Sequence, residues 1–237
     1  MNPDNASRFD ARSPSTQTGD GASPTVGGEQ RLLIALTVLV LMILPFFQPD
    51  RLSPGPKWLI PILVGALLSA IVFADPSRID RRSSVLRFMA IGLVVLLIIK
   101  AAWSTVVLLV DLVHGAPDLN NATALLITGA LVWFANNTVF ALLYWELDSG
   151  GPAARALHLS RYPDLAFPGH LNPDIVPPDW RPVFLDYLYL GLTNALAFSP
   201  TDVMPLASWA KLTMALQSLI SVAILSLVIA RAVNILT

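Results

Sequence analysis

Cysteine is absent from the 237 residues, which excludes disulfide frameworks, thiolate metal sites and cysteine nucleophiles together and leaves the redox compartment open. Charge is scarce. Only 13% of residues are Asp, Glu, Lys or Arg, about half the usual share of a soluble domain. With 54% hydrophobic residues and a mean hydropathy of +0.63, such a surface is not solvated by water alone. Neither sign of charge dominates: fifteen Lys and Arg face sixteen Asp and Glu. There is therefore no basic field to attract a phosphate backbone, and nucleic acid is not an expected partner. The three histidines, His114, His158 and His170, form neither an HExxH motif nor an i,i+4 pair, so no metal or cofactor is expected. No GxSxG elbow, triad order or catalytically spaced carboxylate pair is present. Gly150-Gly151-Pro152 lacks the lysine and spacing of a phosphate loop and reads as a turn. The composition argues against an enzyme and for a membrane protein whose main partner is the lipid bilayer.

Long aliphatic runs occupy most of the chain. Residues 1–30 precede them, polar and rich in Ser, Thr, Gly and Pro, and read as a disordered tail that buries too little to offset its ordering entropy. So long a polar lead is not a secretory signal. Apolar runs follow at 32–47, 58–74, 88–113 and 122–147. A loop at 148–182 carries seven prolines, three arginines and four aspartates. A short apolar stretch, 183–198, leads through a polar kink at 199–205 into a final run over 206–236. The runs are continuous and do not alternate as barrel strands do, so the fold expected is all-α: a polytopic helical membrane protein. The stretch 183–198 is about 24 Å long as a helix, short of a 30 Å hydrocarbon core. We therefore expect five transmembrane helices plus one re-entrant half-span, with six full spans as the alternative. In this division 1–30 is the tail, 31–121 a three-helix membrane region, and 122–237 a second region. The second comprises an outer helix at 122–147, the proline-rich loop at 148–182, the half-span and kink at 183–205, and an inner helix at 206–236. No internal repeat and no second soluble domain are evident.

Charge sets the expected orientation. The connection 75–87 holds Arg78, Arg81, Arg82 and Arg87, and cytoplasmic loops collect such residues. That places the N-terminus in the cytoplasm of a cell with, we expect, a bacterial inner membrane. The turn 114–121 has no Lys or Arg and falls outside. Arg155, Arg161 and Arg181 then fall inside. With a half-span, Lys211 counts inside and Arg231 outside.

The segment Phe184–Pro205 reads FLDYLYLGLTNALAFSPTDVMP and runs into a long apolar helix. It resembles the pore module of tetrameric cation channels: an aromatic-rich pore helix, a Thr-bearing turn, Asp then Pro, and a long inner helix. Asp186 and Tyr187–Tyr189 sit where that family has its acidic-aromatic pore-helix start. Thr193 matches the end of the pore helix, and Asp202 and Pro205 the residues beyond the filter. The sequence is also similar to bacterial integral-membrane families with an aromatic hairpin and a Ser/Thr–Asp kink before the last helix. The likeness covers about the last half of the chain. It departs from the family in having no glycine across Phe198-Ser199-Pro200-Thr201. Glycines permit the dihedrals of a carbonyl filter, whereas proline locks φ and removes a donor. What the resemblance implies is a homo-oligomer passing cations or small solutes past side chains, with Thr193, Asn194, Ser199, Thr201 and Asp202 at the constriction. The same Ser-Pro-Thr-Asp is also a plain helix-breaking turn in which Thr201 or Asp202 caps the last helix.

Polar residues interrupt the runs. Lys100 and Asp111, eleven residues apart, share a helix face but are too distant to bond directly. An ionised group at that depth marks a cation-binding or proton-relay site in a bundle cavity, or else a lysine that snorkels or pairs with an acid on another helix. Asn136, Asn137 and Gln217 read as amides that join helices through hydrogen bonds, with substrate lining as the alternative. Three functions follow in order: an oligomeric channel without a potassium-type filter, a non-conducting scaffold or assembly protein, and a secondary transporter. The last would show paired inverted repeats with broken helices; only one break is visible.

Overall fold

The computed structural model describes residues 25–74, 84–115, 120–157, 159–178, 180–197 and 202–236. Expectations for the tail up to residue 24, for Arg78, Arg81 and Arg82, for His158, and for Phe198-Ser199-Pro200-Thr201 fall outside the described residues. Where aliphatic residues run unbroken, helices form: α1 Thr25–Ile43, α2 Leu59–Ala74, α3 Ser84–His114, α4 Ala122–Leu147, α7 Phe184–Ala197 and α8 Ser208–Leu236. Two short helices, α5 Pro152–Ala156 and α6 Pro168–Leu171, and two short strands, β1 Leu165–Ala166 and β2 Met204–Pro205, belong to the proline-rich loop and the kink. The strands pair antiparallel.

Helix ends follow local chemistry. Asn121 caps α4, its side chain accepting from the Thr123 amide at 2.8 Å. Pro45 cannot extend α1, which tightens into a 3-10 turn over Leu44–Phe47. Beyond α4 the chain reverses through Ser149, Gly150 and Gly151, all with positive φ, a conformation that glycine adopts at little cost. Two boundaries differ from expectation. The α1 helix begins at Thr25, inside the stretch 1–30 expected to be a disordered tail, and α3 takes in Arg87 from the connection before it.

Three helices are long and apolar enough to cross a membrane: α3, α4 with its following turn, and α8. At 1.5 Å per residue the 31 residues of α3 extend about 46 Å. The α3 and α8 helices both lie against α4. Residue 129 of α4 is glycine because α8 passes there: a Cβ would come within 2.7 Å of Val228. The shorter apolar helices α1 and α2 form a hairpin that packs on α3 through α2, while α1 also touches α4 and α7. Its link, with a second 3-10 turn over Asp50–Leu52, rests on α3 from Lys100 onward.

The module formed by α4, α7 and α8 has a definite sense. Gly191 O meets Gln217 and Ala195 O meets Ser221, a constant offset of 26 that makes α7 and α8 parallel. Gly115 lies beside Arg231, and Gly150 beside Arg87. One end of the bundle therefore gathers the starts of α3, α7 and α8 with the proline-rich loop. The other end gathers the α3–α4 turn and the end of α8. Since β2 pairs with β1 in the loop and the Leu206 amide donates to Asp164 O at 2.8 Å, the chain leaving α7 returns to the end from which α7 set out.

Candidate functional site

Three buried polar clusters organise the molecule. The largest is an amide knot where α4, α7 and α8 meet. Gln217, 1% exposed, is its hub. Its Oε1 accepts from the Tyr144 hydroxyl at 2.7 Å and from Asn194 Nδ2 at 2.8 Å. Its Nε2 donates to Asn137 Oδ1 at 3.0 Å and to Gly191 O at 2.8 Å. Asn194 Nδ2 also donates to Met214 O, and Asn137 Nδ2 donates to Trp133 O within α4. One turn further along α8, Ser221 Oγ donates to Ala195 O and accepts from Trp133 Nε1 at 2.6 Å. Gly191 permits this approach, because a Cβ there would sit 3.0 Å from Asn137 O. Amides beside apolar side chains must find partners or bear a desolvation penalty, and here they find one another across three helices.

The second cluster is on α3. Lys100 Nζ donates to Gln48 Oε1 at 2.7 Å, and Ser104 Oγ to Leu52 O at 2.8 Å. Trp103 Nε1 donates to Arg51 O, and Arg51 Nη2 lies 3.1 Å from Asp111 Oδ1. Lys100, Ser104 and Asp111 form a stripe down one face of α3, and the whole stripe is spent on the link between α1 and α2. The partner of Lys100 is an amide, not an acid on another helix. Asn136 faces α3 elsewhere, its Nδ2 donating to Thr105 Oγ1 at 2.7 Å. Among the described residues Lys100, Asp111 and Asn136 therefore serve separate contacts.

The third cluster anchors the proline-rich loop and escaped the reading of the sequence. Asp148 follows the last residue of α4 and is fully buried. Its Oδ2 accepts from the Tyr187 hydroxyl at 2.6 Å, and its Oδ1 from Ser149 Oγ and the Asp164 and Leu165 amides. Arg155 lies over the Trp145 ring, 4.4 Å from its centroid, and Nη1 donates to the carbonyls of Trp145 and Asp148. At the start of α7, Asp186 Oδ2 accepts from the Val183 amide at 2.7 Å. Nearby, His170 Nδ1 accepts from the Phe167 amide at 3.1 Å, and the ring packs between Phe167 and Trp180. Partial burial holds the His170 pKa below its usual 6.5, with the Asp148 carboxylate acting in the opposite direction. The visible signal is an aspartate two residues after a Tyr-Trp-Glu run, with tyrosines on α7.

Of the five residues expected at a constriction, the structure describes Thr193, Asn194 and Asp202, each in a different setting. Thr193 is half-buried and returns its hydroxyl to Tyr189 O at 2.9 Å. Asn194 is inside the amide knot. Asp202 is exposed, on the returning segment; Ser199 and Thr201 fall outside the described residues. Among the described residues no group of three His, Cys, Asp or Glu could hold a metal ion. No family model, curated protein or solved structure matches this chain.

Proposed function

We propose that α4, α7 and α8 form a re-entrant pore-type module, and that the protein is an oligomeric conduit for ions or small solutes in a bacterial inner membrane. In this reading α1, α2, α3, α4 and α8 cross the bilayer, α7 is a half-span, and the N-terminus is cytoplasmic. The α2 helix is about 24 Å long at 16 residues, so the α1–α2 hairpin crosses with local thinning of the bilayer. The observation that carries the proposal is the parallel start of α7 and α8 from one end, with the chain returning between them. Irregular backbone at membrane depth is tolerated where protein or a water-filled passage covers it. Thr193 and exposed Asp202 are the expected constriction residues described on either side of that return. One subunit supplies a single wall, and α7 and α8 offer apolar outer faces, including Leu192, Leu196, Leu212 and Leu219, that lipid or neighbouring subunits cover. A ring of Asp202 carboxylates favours cations.

The test is cation flux into liposomes carrying the purified protein. Flux above that of empty liposomes, reduced several-fold by Asp202→Asn, is the expected result. Flux at background, or flux unchanged by the substitution, contradicts it. A second reading, a non-conducting scaffold, is favoured by the amide knot, which spends the polar side chains of the module on one another. Background flux from a folded protein would select it.

A further inference from the structure

We propose that a small monovalent anion, of the size and charge of chloride, binds at Lys100 beneath the link between α1 and α2. The site goes beyond the conduit reading and involves none of its residues. Lys100 is 7% exposed and Gln48 2% exposed. Among the described residues the ammonium has one acceptor, Gln48 Oε1, and no carboxylate within ion-pair distance. Asp111 is taken by Arg51, and Asp50 by Lys57. The orientation of the Gln48 amide is dictated by the lysine, because turning it would set NH2 against NH3+. Among the described residues that orientation leaves Gln48 Nε2 buried without an acceptor, and Ser53 Oγ, further along the same link, is likewise buried and unpartnered. The inventory at this place is therefore lopsided: an ammonium and an amide NH2 with donors to spare, and nothing negative to receive them.

A partly enclosed void bordered by Leu41, Met42, Pro45, Val64 and Leu97 reaches Lys100 and has room for about one water-sized body. Burying an uncompensated charge among such side chains is costly. A monatomic anion supplies the missing charge and accepts from the Lys100 ammonium that borders the void, and the space excludes a phosphate headgroup. Water fits too but leaves the charge uncompensated. The anion also explains how a lysine in the middle of a long apolar helix can hold a link that carries no acid toward it.

The experiment compares thermal unfolding of the full-length purified protein in chloride, bromide and gluconate salts at equal ionic strength. A ligand at ten times its dissociation constant raises the midpoint of a protein this size by about 3–6 °C. That rise is expected for the halides over gluconate. Gln48→Glu gives Lys100 a carboxylate of its own and is expected to match the halide-bound midpoint in gluconate, with no further response to halide. No halide dependence in the wild type overturns the proposal and leaves water in the void. An equal halide response in wild type and Gln48→Glu overturns it as well, since the effect is then a general one of the salt. Should the variant fail to fold, a bromide-soaked crystal decides: an anomalous peak beside Lys100 Nζ is expected, and an empty site contradicts the anion.

Discussion

The amide knot of α4, α7 and α8 and the link seated on α3 solve the same problem with different completeness. Both bury polar side chains among aliphatic ones, and both use them to join segments far apart in sequence. In the knot the groups are neutral and balanced: Gln217 gives two hydrogen bonds and receives two, with Asn137, Asn194, Tyr144 and Gly191 around it. At the link they are charged and unbalanced, with Lys100 facing an amide and donors left over on Gln48 and Ser53. Neutral side chains can close a network from within one chain, because every amide brings a donor and an acceptor. A lone ammonium brings donors only and needs something from elsewhere. The knot is thus a lock, and the link a place where something is still to be held.

Breaking the knot is expected to have the largest effect. Gln217→Leu removes four hydrogen bonds and leaves Tyr144, Asn194 and Asn137 short of partners. At roughly 1 kcal/mol per intramembrane bond, the loss is about 2–4 kcal/mol. It would be read as a lowered midpoint of thermal unfolding in detergent, and an unchanged midpoint would mean that the knot does not hold the helices together. A smaller effect is expected from the proline-rich loop. The lowered pKa of His170 means that the folded protein holds fewer protons there than the unfolded chain. Its contribution is complete above the ordinary value of 6.5 and is lost as pH falls below it through the lower folded-state pKa. Protonation also ends the acceptor role of Nδ1 toward the Phe167 amide. The unfolding midpoint should fall modestly between pH 7.5 and pH 5.5, and less so in His170→Gln. An equal fall in both proteins would remove His170 from the pH response.

The helical class was legible because lipid-facing helices need no pattern beyond continuous apolar runs, and α4 has the same ends as the run 122–147. Three long spans stand out, whereas the roles of the shorter α1, α2 and α7 rest on how they pack. Pairings were not legible. That Asn137 meets Gln217, eighty residues away, depends on how far α7 descends beside α8, which no local period encodes. The seat of the link at 48–57 is not legible either, because its proline and glycine content marks a turn but not what the turn sits on. Lys100 and Asp111 were visible as one face of α3, yet their partners Gln48 and Arg51 looked like ordinary loop residues. Asp148 is not legible for the same reason: burial is a property of the fold, and its hydrogen bonds reach forward to Asp164, Leu165 and Tyr187.

The absence of cysteine makes the central geometry directly testable by single-cysteine labelling with a membrane-impermeant reagent. Three sites suffice: Arg161→Cys in the proline-rich loop, Met204→Cys after α7, and Asn234→Cys at the end of α8. If α7 turns back within the bilayer, the first two react from one face and the third from the opposite face. Reaction of Met204→Cys from the face opposite Arg161→Cys would mean that α7 crosses completely, and the re-entrant module would be lost with it.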